Sequence, residues 1–353
     1  MKALVTGATG LIGSHLVHAL VAARHEVRCL VRQTSRRASL EALPVTWIVG
    51  DLLNDGKVLD AACGECDVAF HTAAHYAYGG VSPTEMLDTA VAGTEALLRA
   101  CGGQGVRTVV VTSSSVVFGY SNSGEIICER DPMTNSDREP TYVIAKIAQH
   151  HQALKLAEHL GLDVRFACPT VTLGPTSSRL GPSNGLIVSY LTDPFSSTFP
   201  GGCNLVSASD VAEGHLLIAL NGKMRECYLL GSENLTWRQI HGMIADLAGV
   251  SPPLAELSHV SAFLAAATEE IFASMAGRAA VSTRQQATMI GRYYWYSHAK
   301  AAALGYAPTT ARTALTETIS WLVSSSHITR EVRARMHLSR DIYRLRSVTE
   351  RQH

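Results

Sequence analysis

Lys2-Ala3-Leu4-Val5-Thr6-Gly7-Ala8-Thr9-Gly10-Leu11-Ile12-Gly13-Ser14-His15-Leu16-Val17 decides the fold. Its first residues make an apolar run of strand length. Its glycines stand at three-residue spacing, Gly7-x-x-Gly10-x-x-Gly13, and residues 14–24 read as a helix. Glycines in such a turn permit positive φ, close approach of an anion and close contact between helix and strand. The helix N-terminus offers free N–H groups to a phosphate. The order strand, glycine turn, helix predicts a dinucleotide held by Gly7, Thr9, Gly10, Leu11, Ile12 and Gly13. The competing reading is a purely structural turn.

Outward from this turn, segments 26–31, 45–49, 67–71, 106–112 and 163–167 read as strands, and 83–100 and 142–159 as helices. Such alternation predicts an α/β fold with a doubly wound parallel sheet covered on both faces. Its strands read as nearly unbroken apolar runs, as in Thr108-Val-Val-Val111. Beyond Pro169 the pattern loosens. Residues 174–204 are rich in glycine and proline and read as loops bordering a cleft. Segments 210–220 and 236–248 read as helix, 226–230 as strand, and 256–290 as mostly helix. The chain is therefore divided into a dinucleotide-binding region, 1–170, with its sheet completed by segments near 203–230. A smaller, mainly helical substrate-binding region, 171–325, follows, and then a basic helical extension, 326–353.

Composition narrows the function. Of 353 residues, 46% are apolar and 17% charged, which excludes a disordered chain. Thirty Lys and Arg balance thirty Asp and Glu, so a uniformly basic nucleic-acid binder is excluded and no nucleic-acid partner is expected. The eight cysteines are scattered. Cys63-Gly-Glu-Cys66 lacks the second pair that zinc needs, so no metal is expected. No leader-like apolar run precedes the glycine turn, and no stretch reaches the length of a spanning helix. A soluble cytoplasmic protein is the expectation.

The second strand ends in Val31-Arg32-Gln33-Thr34-Ser35-Arg36-Arg37, without the carboxylate that usually bonds the ribose of NAD. Arg32, assisted by Arg36 or Arg37, is expected to pair with a 2′-phosphate, which favours NADP over NAD. A solvated loop is the alternative. Asp51, followed by Leu52, either bonds the adenine amino group or caps the next helix. Thr72, Ala73 and Ala74 follow the fourth strand, where small residues let the backbone approach the cofactor. His71 reads as structural.

The fifth strand runs into Thr112-Ser113-Ser114-Ser115, and Tyr142 precedes Lys146 by four residues. Residues four apart share a helix face. An adjacent ammonium favours phenolate, so the Tyr142 pKa is expected to fall. Tyr142 would exchange a proton with a substrate oxygen that Ser114 also holds, and Lys146 would also reach the nicotinamide ribose.

These motifs, in this order, resemble the extended short-chain dehydrogenase/reductases, the NAD-dependent epimerase/dehydratase family. The resemblance covers roughly residues 1–325 and is nearest to the dihydroflavonol-reductase-like branch and to hopanoid-associated sugar epimerases. It implies a Rossmann-type sheet and a catalytic set of Ser114 (or Ser115), Tyr142 and Lys146. It also implies cofactor contacts from Thr112 and Ser113, and from Pro169, Thr170 and Val171 at the nicotinamide end. Three departures stand out. Ala90 occupies a position where family members commonly have asparagine. Val206-Ser-Ala-Ser209 lacks the usual His-Val-Asp. Ser114 is not followed by the Asp-Glu pair of sugar dehydratases.

The leading functional expectation is NADP-dependent hydride transfer between the nicotinamide and a ketone or secondary alcohol of a small molecule. One alternative is a nucleotide-sugar epimerase that retains its cofactor, with Arg179 as a candidate cation for a diphosphate. Another is a non-catalytic NADP-binding protein. Tyr76, Tyr78, Phe118 and Tyr190 are candidate walls for the substrate. The extension carries seven arginines between 330 and 353. It is expected to pack on the fold, join a partner in a homodimer, or touch an anionic surface.

Overall fold

The computed structural model describes residues 1–73, 83–130, 133, 139–176, 180–275 and 283–349. Strands and helices alternate from the start: β1 (Lys2–Thr6), α1 (Leu11–Ala22), β2 (Glu26–Val31), β3 (Val45–Val49), α2 (Gly56–Cys63), β4 (Val68–His71), α3 (Pro83–Gly103), β5 (Thr108–Thr112), α4 (Thr141–Leu160) and β6 (Asp163–Pro169). Then follow β7 (Val171–Leu173), α5 (Pro182–Thr192), β8 (Ser197–Thr198), β9 (Gly202–Ser207), α6 (Ala208–Asn221), β10 (Cys227–Leu230) and β11 (Glu233–Thr236). The remainder comprises α7 (Trp237–Ala248), β12 (Ala255–Glu256), α8 (His259–Met275), α9 (Arg284–Ala287), β13 (Tyr293–Tyr294), α10 (Ala299–Ala302), α11 (Ala311–Ser324), α12 (Arg330–Ala334) and α13 (Arg340–Thr349).

Seven strands form one parallel sheet in the order β10-β6-β5-β4-β1-β2-β3. Val5 lies opposite Cys29 on one side and Phe70 on the other. Val109, Val110 and Val111 are wholly buried because helices cover both faces. The strand order reverses between β1 and β4. In such sheets the crevice beyond the strand C-termini at that point receives the ligand.

The second half holds two differences from the sequence reading. The loop-rich stretch 174–204 contains the eleven-residue helix α5, with Pro182 at its start. Proline suits the first turn of a helix, where its missing N–H has no partner to lose, so this Pro182 opens a helix rather than a loop. β9 does not extend the main sheet. It pairs with β7, β11 and β13 in a second one, while β10 closes the first. The reading of 256–290 as mostly helix is met among the described residues by α8 and the one-turn α9. Among the described residues no helix is long and apolar enough to cross a membrane.

The basic extension packs on the fold. Ile328, Val332 and Ile342 are buried in the same cluster as α7 and α11. Arg333 donates to the Ser325 carbonyl at 2.7 Å, and Arg312 pairs with Asp246 and Asp341. The extension crosses the end of α7, where His337 and Ser339 N–H groups donate to the Ala248 and Leu247 carbonyls. Gly249 sits there at φ +63°, and a Cβ on it would overlap the His337 carbonyl. Gly249→Ala should therefore cost about 1–2 kcal/mol from the left-handed backbone alone, with the overlap adding to it. A chemical denaturation midpoint equal to wild type would show that the crossing does not constrain the chain.

Candidate active site

The glycine turn closes through a hydrogen bond from Gly10 N–H to the Gly7 carbonyl, 2.9 Å. Gly7 takes φ +71°, and a Cβ there would lie 2.6 Å from the Ala73 nitrogen. No residue with a side chain fits between β1 and the end of β4. A Cβ on Gly13 would overlap the Gly7 carbonyl, so α1 can start only this close to β1. Thr72 locks the same junction, its hydroxyl donating to the Thr6 carbonyl at 2.7 Å. Gly10 caps α1 without a side-chain acceptor, and the first turn contains no acid. Thr9, Leu11 and Ile12 are half-buried at this turn. The turn thus presents unpaired N–H groups to an anion, and its donor set fits a dinucleotide pyrophosphate.

The adenosine side is less committed. One Asp51 oxygen accepts from Leu53 N–H at 2.9 Å, a local turn that leaves its second oxygen open. Leu52 is half-buried beside it. Arg32 and Arg36 are exposed, and among the described residues their side chains have no polar partner. Arg37 lies over the Trp47 ring, 5.2 Å from its centroid. Ala74, Tyr76, Tyr78 and Arg179 lie outside the described residues.

At and just beyond the end of β5 stand three hydroxyls in a row, each with a separate task. Thr112 donates to Nε2 of His215 at 2.8 Å, while His215 Nδ1 donates to the Val211 carbonyl at 2.7 Å. Burial holds His215 down at about 4, so it stays a neutral bridge between β5 and α6. Ser113 bonds His150 at 3.0 Å. Ser114 caps a 3-10 turn (Ser115–Phe118), accepting from Val116 N–H at 3.4 Å. That bond uses an oxygen lone pair and leaves the Ser114 proton for another acceptor. Ser115 is buried behind it.

Tyr142 and Lys146 stand one turn apart at the start of α4, both buried. The Lys146 ammonium is 5% exposed and donates to the Thr112 carbonyl at 3.1 Å and to Gln149 Oε1 at 2.9 Å. The structure thus ties the Tyr142 helix to the strand end that carries Ser114. Burial pushes the Lys146 pKa down to about 8, and a nearby Cys168 acts weakly the other way. Gln149 was absent from the sequence reading, although its place three residues after Lys146 puts it on the same helix face. His71 is structural as expected: fully buried, bonded to Thr6 and Thr94, and held down to about 3 by burial and by Lys146.

Beyond β6, the Thr170 hydroxyl donates to Asn204 Oδ1 at 2.8 Å. Asn204 also accepts from Ser232 N–H and donates to Asn234. Pro169 ends β6 and Val171 begins β7, so this hub fixes the joint between the two sheets. Two candidate walls are not at a cleft surface. Phe118 is buried, and Tyr190 is buried with its hydroxyl on the Ser251 carbonyl and its ring stacked on His241 at 4.6 Å. Apolar burial outcompetes exposure for both rings.

The model of the NAD dependent epimerase/dehydratase family matches residues 3–231. A Synechocystis sp. protein bearing a provisional dihydroflavonol 4-reductase name is 29% identical over 329 residues, 92% of this chain and 95% of its own. Sterol demethylase protein B of Methylococcus capsulatus is 32% identical over 255 residues, 72% of this chain and 76% of its own. The crystal structure of gox2253 superposes with a TM-score of 0.81 at 31% identity, covering 93% of this chain and 99% of its own. A DesIV double mutant, a dTDP-glucose 4,6-dehydratase from Streptomyces venezuelae solved with NAD and DAU, gives 0.69 at 25% identity, covering 91% and 96%. MoeE5 with UDP-glucose and NAD gives 0.67 at 25% identity, covering 91% and 98%. Reductases and sugar enzymes thus appear side by side.

These structures correct the expectation of NADP. The cofactor seen in DesIV and MoeE5 is NAD. The arginines that suggested a 2′-phosphate are an exposed, unanchored pair and a third stacked on Trp47.

The depressed Lys146 pKa has a measurable sign. Between about pH 8 and 10.5 the unfolded lysine binds a proton that the folded one has lost, so folding stability gains as pH rises through that window. The stability difference between wild type and Lys146→Met should rise by up to about 3 kcal/mol across it, read from denaturation midpoints at stepped pH. A flat difference would mean that the ammonium is not desolvated.

Proposed function

The chain belongs to the NAD-dependent epimerase/dehydratase family, and we propose on that footing that it retains NAD and inverts a secondary alcohol of a nucleotide sugar. The observation that carries this reading is the buried Tyr142–Lys146 pair on α4, tied through the Thr112 carbonyl to the strand end bearing Ser114. The glycine turn, Thr72 and Ala73 hold the cofactor, and Thr112, Ser113, Pro169, Thr170 and Val171 border its nicotinamide. Asp51 and Leu52 face its adenosine. Residues 171–325 supply most of the substrate side. The nucleotide-sugar class rests on relatives of that chemistry, DesIV and MoeE5, which hold NAD.

Bound NAD supplies the hydride acceptor and returns the hydride later. Everything else falls to the chain. Tyr142, as phenolate, removes the hydroxyl proton while the carbon gives up its hydrogen with the electron pair. The Lys146 ammonium favours that phenolate. The Ser114 hydroxyl donates to the same substrate oxygen and holds it through both halves of the reaction. The ketone then turns over. As the hydride arrives on its other face, Tyr142 gives the proton back, and no cofactor is consumed.

A second reading is net reduction of a ketone. It is favoured by the Synechocystis relative, which aligns over 92% of this chain. Purified protein, a panel of UDP- and dTDP-sugars and a panel of ketones separate the two. Co-purified NAD, with sugar inversion seen by NMR and no net NADH consumed, is the expected result. Stoichiometric NADH oxidation on a ketone would replace it with the reductase reading. In either assay Tyr142→Phe should slow turnover about 10²–10⁴-fold with NAD content unchanged. Near wild-type turnover in Tyr142→Phe would remove Tyr142 from the chemistry.

A further inference from the structure

Behind the catalytic pair lies a run of buried polar side chains that the proposed reaction does not use. Lys146 Nζ meets Gln149 Oε1 at 2.9 Å, Gln149 Nε2 meets Thr94 Oγ1 at 2.8 Å, and Thr94 Oγ1 meets His71 Nε2 at 3.0 Å. His71 Nδ1 meets Thr6 Oγ1 at 2.8 Å. All five residues are buried. They come from α4, α3, β4 and β1.

We propose that Gln149 is a positioning residue that aims the Lys146 ammonium, anchored in turn by Thr94 and His71. The proposal rests on the Tyr142–Lys146 reading of the site and deepens it.

The direction of every bond in the run follows from what each atom can do. An ammonium only donates, so Gln149 Oε1 accepts and its Nε2 must face Thr94. The Thr94 hydroxyl lies 2.8 Å from the Ala90 carbonyl, which only accepts, so its single proton goes there. Thr94 Oγ1 then receives both Gln149 Nε2–H and His71 Nε2–H. His71 Nδ1 is left to accept from the Thr6 hydroxyl. This assignment requires a neutral His71 with one ring proton, as its burial against a neighbouring ammonium dictates. A buried chain in which every member is bonded holds its members still.

Two consequences follow. The Thr112 carbonyl and Gln149 take two of the three ammonium protons. The run ends on the Ala90 carbonyl on one branch and on the buried Thr6 hydroxyl on the other, and neither end reaches water. Its work is aim, not relay. The ammonium's titratable neighbours are Tyr142 on its own helix, His71 on β4 and Cys168 on β6. His150, next to Gln149, is turned to Ser113 and Cys227. Among the described residues no carboxylate pairs with Lys146, so an uncharged amide is its main side-chain acceptor.

The test is a direct titration that needs neither substrate nor turnover. Full-length protein is labelled with [ε-13C]lysine, and the Lys146 signal, assigned by its loss in Lys146→Met, is followed by NMR against pH. Gln149→Glu keeps the shape and adds a charge; Gln149→Met keeps the length and removes both polar atoms. The Lys146 midpoint should rise by about one unit or more in Gln149→Glu and fall by about one unit in Gln149→Met. Thr94→Val, which frees the amide, should also lower it. A midpoint within about 0.2 unit of wild type in both Gln149 variants overturns the proposal. If Gln149→Met does not fold, the near-isosteric Gln149→Glu decides alone. Failure of the epimerase reading would appear in the sugar assays and leave this titration standing.

Discussion

The Lys146 ammonium carries a full charge out of reach of bulk water, and a buried cation is tolerated only when its donors are matched by fixed acceptors. Here the acceptors are a strand-end carbonyl and a glutamine amide from the next helical turn. Satisfying them fixes more than the lysine. The carbonyl sets how far α4 stands from the end of β5. The amide reaches α3 through Thr94, and Thr94 reaches β4 and β1 through His71 and Thr6. The strands on both sides of the cofactor crevice are thereby linked to the same charge. A misplacement anywhere along this chain would leave a buried polar group without a partner.

The second half of the chain is organised by further hydrogen-bond hubs, two centred on neutral side chains and one on a carboxylate. Asn204, on β9, joins the link between β6 and β7 to the segment after β10. His215 bridges the end of β5 to α6. Asp210, at the start of α6, accepts both the N–H and the hydroxyl of Thr309. Each hub connects segments far apart in sequence. The cleft is therefore bordered by elements whose positions are set from behind.

The first half was legible because its signals are local. A strand, a glycine turn and a helix follow one another within about two dozen residues, and apolar runs mark the next strands by themselves. Tyr142 and Lys146 share a helix face by spacing alone. What was not legible depends on contacts between distant segments. Pro182 and its glycine neighbours suggest a loop until tertiary packing supports α5. The basic 326–353 segment had three open fates, and it is the burial of Ile328, Val332 and Ile342 that shows it packing on the fold. Arg32 illustrates a charge read without its surroundings: sequence supplies the cation, not the partners that would aim it. Gln149 illustrates the reverse, a residue of ordinary type whose importance comes from the four side chains it stands between.

The strand order has a bearing on how the chain is made. β10 lies beside β6 in the main sheet, yet more than fifty residues separate them, including the whole of β9 and α6. During synthesis the first six strands emerge with the flank of β6 uncovered. An exposed parallel edge is a template for wrong pairing until its true neighbour arrives. The sheet that binds the dinucleotide is finished only after much of the substrate side has been translated. A fragment cut at residue 170 would keep the glycine turn, Tyr142 and Lys146 but retain that open edge, so the first half depends on the second to close its own sheet.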